Sequence, residues 1–219
     1  DGGNCCDQER GGTDAEKAPG GSGAVTVTAI VLAAGQGSRF RAEAGADQDK
    51  LLAACVGLDG VIRPVIEQVL VNLPATLVER WVVTSPERHE VIRLADAHGC
   101  KVLLLESAGM GDSIAAAVAA SASADGWLVV LGDMPFIRSA TIERVLADPE
   151  NITVPVHAGQ YGHPVAFGRV FGPALMALTG DRGAKPLFAQ AQVRGVQVDD
   201  PGVLWDVDVP QRLSFSVER

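Results

Sequence analysis

From position 24 onward, short apolar runs alternate with longer stretches whose apolar residues recur every three or four positions. The apolar, β-branched runs VTVTAIVLA (25–33), RWVVTS (80–85), KVLLLE (101–106) and GWLVVLGD (126–133) predict strands. Between them, PVIEQVLVNL (64–73), SPERHEVIRLADAHG (85–99), GDSIAAAVAASASA (111–124) and SATIERVLAD (139–148) predict helices. The second of these is the best punctuated, with Ser85 expected as N-cap, Pro86 in the first turn and Gly99 beyond the end. Further on, 151–167 reads as short strands around the loop AGQYGHP. Residues 169–180 and 183–192 read as helical, 193–200 and 203–209 as extended, and 210–216 as a short terminal helix. Strands alternating with helices predict an α/β fold, a three-layer α/β/α Rossmann-like sandwich around a mainly parallel sheet. Ligands of such sheets gather beyond the carboxyl ends of the strands.

Residues 1–23 break this texture. They lack periodicity, are rich in Gly, Asp and Glu, and read as a flexible tail. Residues 24–219 are expected to form a single domain, a size that can bury a core. With 47% apolar but 5% aromatic residues, that core must be built largely of Val, Leu, Ala and Ile. The net charge of −9 argues against a nucleic-acid partner and against an anionic membrane surface. No apolar run reaches the roughly 18 residues of a membrane span, no signal-peptide pattern opens the chain, and the expected location is cytoplasmic. Cys55 and Cys100 stand alone and Cys5 adjoins Cys6, so no metal-binding or redox Cys-x-x-Cys spacing is present.

The chemistry concentrates at strand ends. IVLAAGQGSRF (30–40) runs from a strand into small residues and a cation. Phe40 stands where a dinucleotide fingerprint has its third glycine, and no Lys-Ser/Thr pair ends the loop as in a P-loop. A turn remains, with Leu32, Ala33, Ala34, Gly35, Gly37 and Ser38, whose N–H groups can form an anion nest. Arg39 adds a fork of donors suited to phosphate, and Lys50, in DKLLA, is a second cation. Asp133, in VVLGDMPF, ends a strand that Pro135 stops, and serves either a turn or a metal ion. Asp206 and Asp208, in LWDVDVP, are two apart and are expected to share a face. Gly109, Gly111 and Ser113 open a helix expected to be capped by Asp112 or Ser113, as a close-packed start or as an anion site. His163 precedes a proline in GQYGHPVAF, and Asp181, Arg182 and Lys185 lie in TGDRGAKPLF.

Taken together, LAAGQGSR…DKLL resembles the signature of nucleotidyltransferases with a glycosyltransferase-A-like fold, the nucleotide-diphospho-sugar transferase-like proteins. The GHP and GD-x-GA pair is similar to that of the MobA/MocA-like branch, and within it to molybdenum cofactor cytidylyltransferases. That resemblance implies CTP, or GTP, and molybdopterin as substrates and Mg²⁺ as cofactor. It implies Arg39 and Lys50 as the catalytic cations on the triphosphate, and Asp133 and Asp208 as metal ligands with Asp206 in support. Gly109, Gly111 and Ser113 would serve base and ribose, and His163, Asp181, Arg182 and Lys185 the acceptor. A molybdoenzyme or its chaperone would be the partner that receives the product. Ala34, where guanylyl relatives have a glycine, leans toward a pyrimidine base. Relatives have Thr at the position of Val209, a poor N-cap, which weakens the expected last helix. The alternatives are a different phosphorylated acceptor, such as a sugar or polyol phosphate, a non-catalytic cofactor-delivery relative, and, least favoured, a nicotinamide-dependent oxidoreductase.

Overall fold

The computed structural model describes residues 25–216 except 107, 108 and 149; the expected tail and its thiols Cys5 and Cys6 lie outside the described residues. In chain order the elements are β1 (Val27–Leu32), α1 (Ser38–Ala44), β2 (Ala54–Val56), β3 (Ile62–Pro64), α2 (Val65–Asn72), β4 (Glu79–Thr84), α3 (His89–Ala97) and β5 (Lys101–Leu104). They continue with α4 (Met110–Ala120), β6 (Gly126–Leu131), α5 (Ser139–Leu146), β7 (Ile152–His157), β8 (Gln160–Tyr161), β9 (Val165–Gly168), α6 (Gly172–Met176), α7 (Lys185–Phe188) and β10 (Val193–Gln197).

Successive side chains of a strand point to opposite faces, so a strand buried on both sides must be apolar throughout. β1 shows this from Ala29 to Leu32. Ala29 and Val31 join a core with Ile66, Val69 and Leu70 of α2, Val91 and Leu94 of α3, and Ile142 and Val145 of α5. Ile30, between them, joins a second core with Ile114, Ala117 and Val118 of α4, Leu175 of α6 and Leu187 of α7. Helices thus cover both faces, and the expected three-layer sandwich is what forms.

The sheet order is β10-β7-β9-β6-β1-β4-β5, with β8 added at β7 and a separate β2-β3 ribbon. β1 lies parallel to both β4 and β6, β5 runs parallel to β4, and β10 runs parallel to β7. β9 alone in this order is antiparallel to its neighbours, β6 and β7. Pro155 has no N–H to give the ladder. The β7–β9 pairing ends at Thr153, before it, and β8 then takes up the pairing at Val156.

Four local expectations are corrected. The helix expected from Ser85 begins at His89: Ser85 to Arg88 is a turn in which Arg88 N–H donates to the Ser85 carbonyl at 3.2 Å, so Ser85 caps nothing. Helix α4 is capped at Gly109, not at Asp112 or Ser113; Asp112 lies three residues inside and accepts the Gly109 N–H at 3.1 Å. Residues 203–209 form no strand. Pro201–Leu204 is a 3₁₀ turn and irregular chain follows. The expected terminal helix is a single 3₁₀ turn, Pro210–Leu213, and Val209 provides no side-chain cap for it. No helix of the described residues is long and apolar enough to cross a membrane.

Candidate active site

The expected rule about strand ends holds at one edge of the sheet. The ends of β1, β4, β5 and β6 surround a cleft of about 660 Å³. Leu32, Ala33, Ala34, Gly35 and Lys50 line it, facing Gly109, Ser113, Asp133 and Asp181.

Beyond β1 the chain stays pinned for one more residue, because Ala33 N–H donates to the Val83 carbonyl at 2.8 Å. The N–H groups of Ala34, Gly35 and Gln36 then have no hydrogen-bond partner among the described residues. Gly37 precedes α1 with φ 62° and ψ 33°, a left-handed conformation that favours glycine. The Lys50 stem packs over it: a Cβ on Gly37 would lie 3.5 Å from Lys50 Cγ. Phe40, which displaces the third glycine of a dinucleotide motif, is instead an anchor. It is buried with Cys55, Val65, Phe136 and Val207, and fastens α1 to the β2-β3 ribbon.

The charges meet beside this loop. Lys50 Nζ donates to Asp133 Oδ2 at 2.6 Å and to Asp208 Oδ1 at 3.2 Å, and its side chain is only 13% exposed. Arg39, 79% exposed, reaches Asp208 Oδ2 at 2.9 Å. A main-chain bond makes the assembly possible: Val207 N–H donates to the Asp133 carbonyl at 2.8 Å and lays the irregular late segment against the end of β6. Asp206 and Asp208 do act together, although not as neighbours on a strand. Burial and the charge of Asp208 push the Asp206 carboxyl upward in pKa, and it hydrogen-bonds to Asp208. Burial opposes the charge of Asp208, but Lys50, the bond from Asp206 and Arg39 outweigh it and hold that carboxylate below its ordinary value. Lys50 is likewise opposed by burial and yet raised, because Asp133 and Asp208 both favour its charged form.

Asp133 and Asp208 thus share a single cation. Among the described residues no group of three or more His, Cys, Asp or Glu side chains is placed to hold a metal. A magnesium ion commonly takes one or two carboxylates and completes its shell with water and phosphate oxygens. Two carboxylates already gathered around one positive charge fit that donor set.

Other expected residues separate. Ser113 is buried and lines the cleft with Gly109, whereas Gly111 does not line it. Both glycines make room for the turn near Asp181. A Cβ on Gly109 would lie 2.5 Å from the Gly180 carbonyl oxygen, and one on Gly111 would lie 2.8 Å from that of Thr179. Asp112 Oδ2 accepts the Gly180 N–H at 3.1 Å and so ties the same turn to α4. Gly111→Ala is therefore expected to lose about 1–3 kcal/mol of stability by overpacking, read as a lower urea midpoint; an unchanged midpoint would contradict this close packing.

His163, Arg182 and Lys185 line a neighbouring cavity of about 420 Å³, while Asp181 belongs to the cleft. The walls of this cavity include Ile114, Val129, Val154, Val165, Phe167 and Phe188, and Met110 and Leu131 are common to both spaces. His163 Nδ1 is buried without a hydrogen-bond partner among the described residues, and burial pushes the imidazole pKa down, toward the neutral form. Glu87 and Glu106, at the far rim of the cleft, and Arg88 behind the glycine loop were not singled out by the motifs.

Comparison with known proteins agrees with this geometry. Residues 29–196 match the model of the MobA-like NTP transferase domain. A nucleotidyl transferase from Methanothermobacter thermautotrophicus superposes with a TM-score of 0.70 at 27% identity, covering 85% of this chain and 94% of that one. Rv0371c from Mycobacterium tuberculosis H37Rv superposes with a TM-score of 0.70 at 26% identity, covering 87% and 96%. The bifunctional protein GlmU of Paramagnetospirillum magneticum is 30% identical over 186 residues, 81% of this chain and 39% of that protein. The chain spans 30–39% of the length of the curated GlmU relatives it matches.

Proposed function

Because the chain belongs to the MobA-like NTP transferase domain family, we propose that it transfers CMP from CTP to the phosphate of molybdopterin. The observation that carries the transferase reading is the meeting of Lys50, Arg39, Asp133 and Asp208 at the end of a loop with free N–H groups. Those N–H groups and the two cations suit a triphosphate. An oxygen of the acceptor phosphate attacks the α-phosphorus, the bond from that phosphorus to the β-phosphate bridge breaks, and pyrophosphate leaves. A phosphate monoester is already largely ionised at pH 7, so no general base is required. Lys50 and Arg39 hold the phosphates in line and offset the charge that grows on the leaving group. Asp133 and Asp208 would hold Mg²⁺, which supplies further neutralisation of phosphate charge when bound. Leu32 to Ser38, Gly109 and Ser113 bind the nucleotide, with Gly111 shaping the wall behind them.

The acceptor side follows from the second cavity. Its walls are largely aliphatic and aromatic, and Arg182 and Lys185 supply positive charge. That suits a flat ring system carrying a phosphate better than a polyol, whose hydroxyls would be left unpaired against apolar walls. Ala34 leans the base toward cytosine. We place residues 24–219 in one nucleotidyltransferase domain, and take delivery of the product to a molybdoenzyme or its chaperone as the following step.

The test is pyrophosphate release with Mg²⁺, each of CTP, GTP, ATP and UTP, and either molybdopterin or a sugar 1-phosphate. Release with CTP and molybdopterin is expected to dominate. Faster release with GTP would move the base assignment, release only with the sugar phosphate would overturn the acceptor, and no release with any pair would overturn the transferase.

A further inference from the structure

The residue that displaced the start of α3 has a position of its own. Arg88 lies behind the glycine loop, its side chain only 10% exposed, beside a third cavity of about 370 Å³. One arm of its guanidinium donates to the Gly35 carbonyl at 2.5 Å, and the other donates to the Ala33 carbonyl at 3.3 Å. The same group lies 3.6 Å from Asp49 Oδ2, on the residue before Lys50. Thr84 Oγ1 also donates to the Ala33 carbonyl, at 3.0 Å, but among the described residues the Gly35 carbonyl is held by Arg88 alone.

A trans peptide is planar, with its N–H directed opposite to its C=O. A group that holds the carbonyls of residues 33 and 35 from one side therefore turns the N–H groups of residues 34 and 36 toward the other. Among the described residues neither N–H group has a partner, and Ala34 and Gln36 line the main cleft. We propose that Arg88 is a positioning residue for the nucleotide: it fixes the peptide planes of the glycine loop so that the N–H groups of Ala34 and Gln36 are presented to the phosphates. The ion pair with Asp49 links this loop to the segment that carries Lys50. The proposal rests on reading the cleft as a nucleotide site.

A lysine would keep the charge toward Asp49 but lacks the planar fork that spans two carbonyls, which separates the proposed role from simple charge pairing. The experiment measures equilibrium binding of the tighter of Mg-CTP and Mg-GTP, and of tripolyphosphate, to the wild type and to Arg88→Gln, Arg88→Lys and Asp49→Asn. Arg88→Gln is expected to weaken both ligands about 10- to 100-fold. Arg88→Lys is expected to recover only part of that loss, and Asp49→Asn, which keeps the carbonyl bonds, to stay within about threefold of wild type. Wild-type affinity in Arg88→Gln, full rescue by lysine, or an equal loss in Asp49→Asn overturns the proposal while leaving the nucleotide reading in place. Should Arg88→Gln not fold, the lysine and Asp49 variants decide alone. If neither nucleotide binds the wild type, the reading of the cleft fails, and the role of Arg88 with it.

Discussion

Asp133→Ala is expected to slow pyrophosphate release by ~1,000-fold or more, the order found when a charge-organising group at a phosphoryl-transfer centre is removed. The Asp133 carbonyl, not its carboxylate, receives the Val207 N–H, so the late segment stays seated when the side chain is cut back. Lys50 loses its shorter contact, 2.6 Å, but keeps Asp208 at 3.2 Å. The ammonium is therefore not stranded, and the loss of stability should stay near 1–2 kcal/mol. Circular dichroism and urea unfolding check the fold, and the release assay checks the chemistry. Turnover within tenfold of wild type in a folded Asp133→Ala protein would remove this carboxylate from the reaction.

Lys50→Ala has the second largest expected effect, a fall in turnover of about 100- to 1,000-fold, accompanied by a stability loss with a defined pH dependence. With the ammonium gone, Asp133 and Asp208 face one another, and the exposed Arg39 is the cation that remains on Asp208 among the described residues. Asp208 is held below its ordinary pKa in the folded wild type. The stability from that depression is present above the unfolded carboxylate pKa and is lost as pH falls through the folded one. Lys50 is raised in the folded chain, so its share is present below the unfolded lysine pKa and is lost as pH rises through the folded one. The gap in unfolding free energy between wild type and Lys50→Ala should thus be widest near neutrality. It should shrink toward both the acid range, where the carboxylates protonate, and the alkaline range, where the ammonium deprotonates. A gap independent of pH would mean that the lysine stabilises through its aliphatic stem over Gly37 and not through its charge.

The layers of the fold could be read from the chain because burial on both faces demands apolar runs, which β1 has from Ala29 to Leu32, β4 from Trp81 to Val83 and β6 from Trp127 to Leu131. What escaped was set by distant partners. Ser-Pro ahead of an amphipathic run reads as a helix start, yet Arg88 turns back to the glycine loop and delays α3 to His89. Gly109 and Gly111 left a close-packed start and an anion site both open, since no local signal reveals that the turn at Thr179 and Gly180 passes against them. Lys50 lies within hydrogen-bonding distance of Asp133 and Asp208, whereas Asp206 and Asp208 sit on irregular chain where strand alternation does not operate. Which cavity His163, Asp181, Arg182 and Lys185 line depends on how β8, β9 and α7 pack, and two short motifs carry no record of that.

The bond from Val207 to the end of β6 has a consequence for biosynthesis. Lys50 and Asp208 are 158 residues apart, and every strand of the main sheet precedes Asp208 in the chain. A polypeptide still emerging from the ribosome can complete that sheet while its ammonium has only one of its two counter-charges. On the reading proposed above, the site is therefore completed after the scaffold, when Asp208 docks.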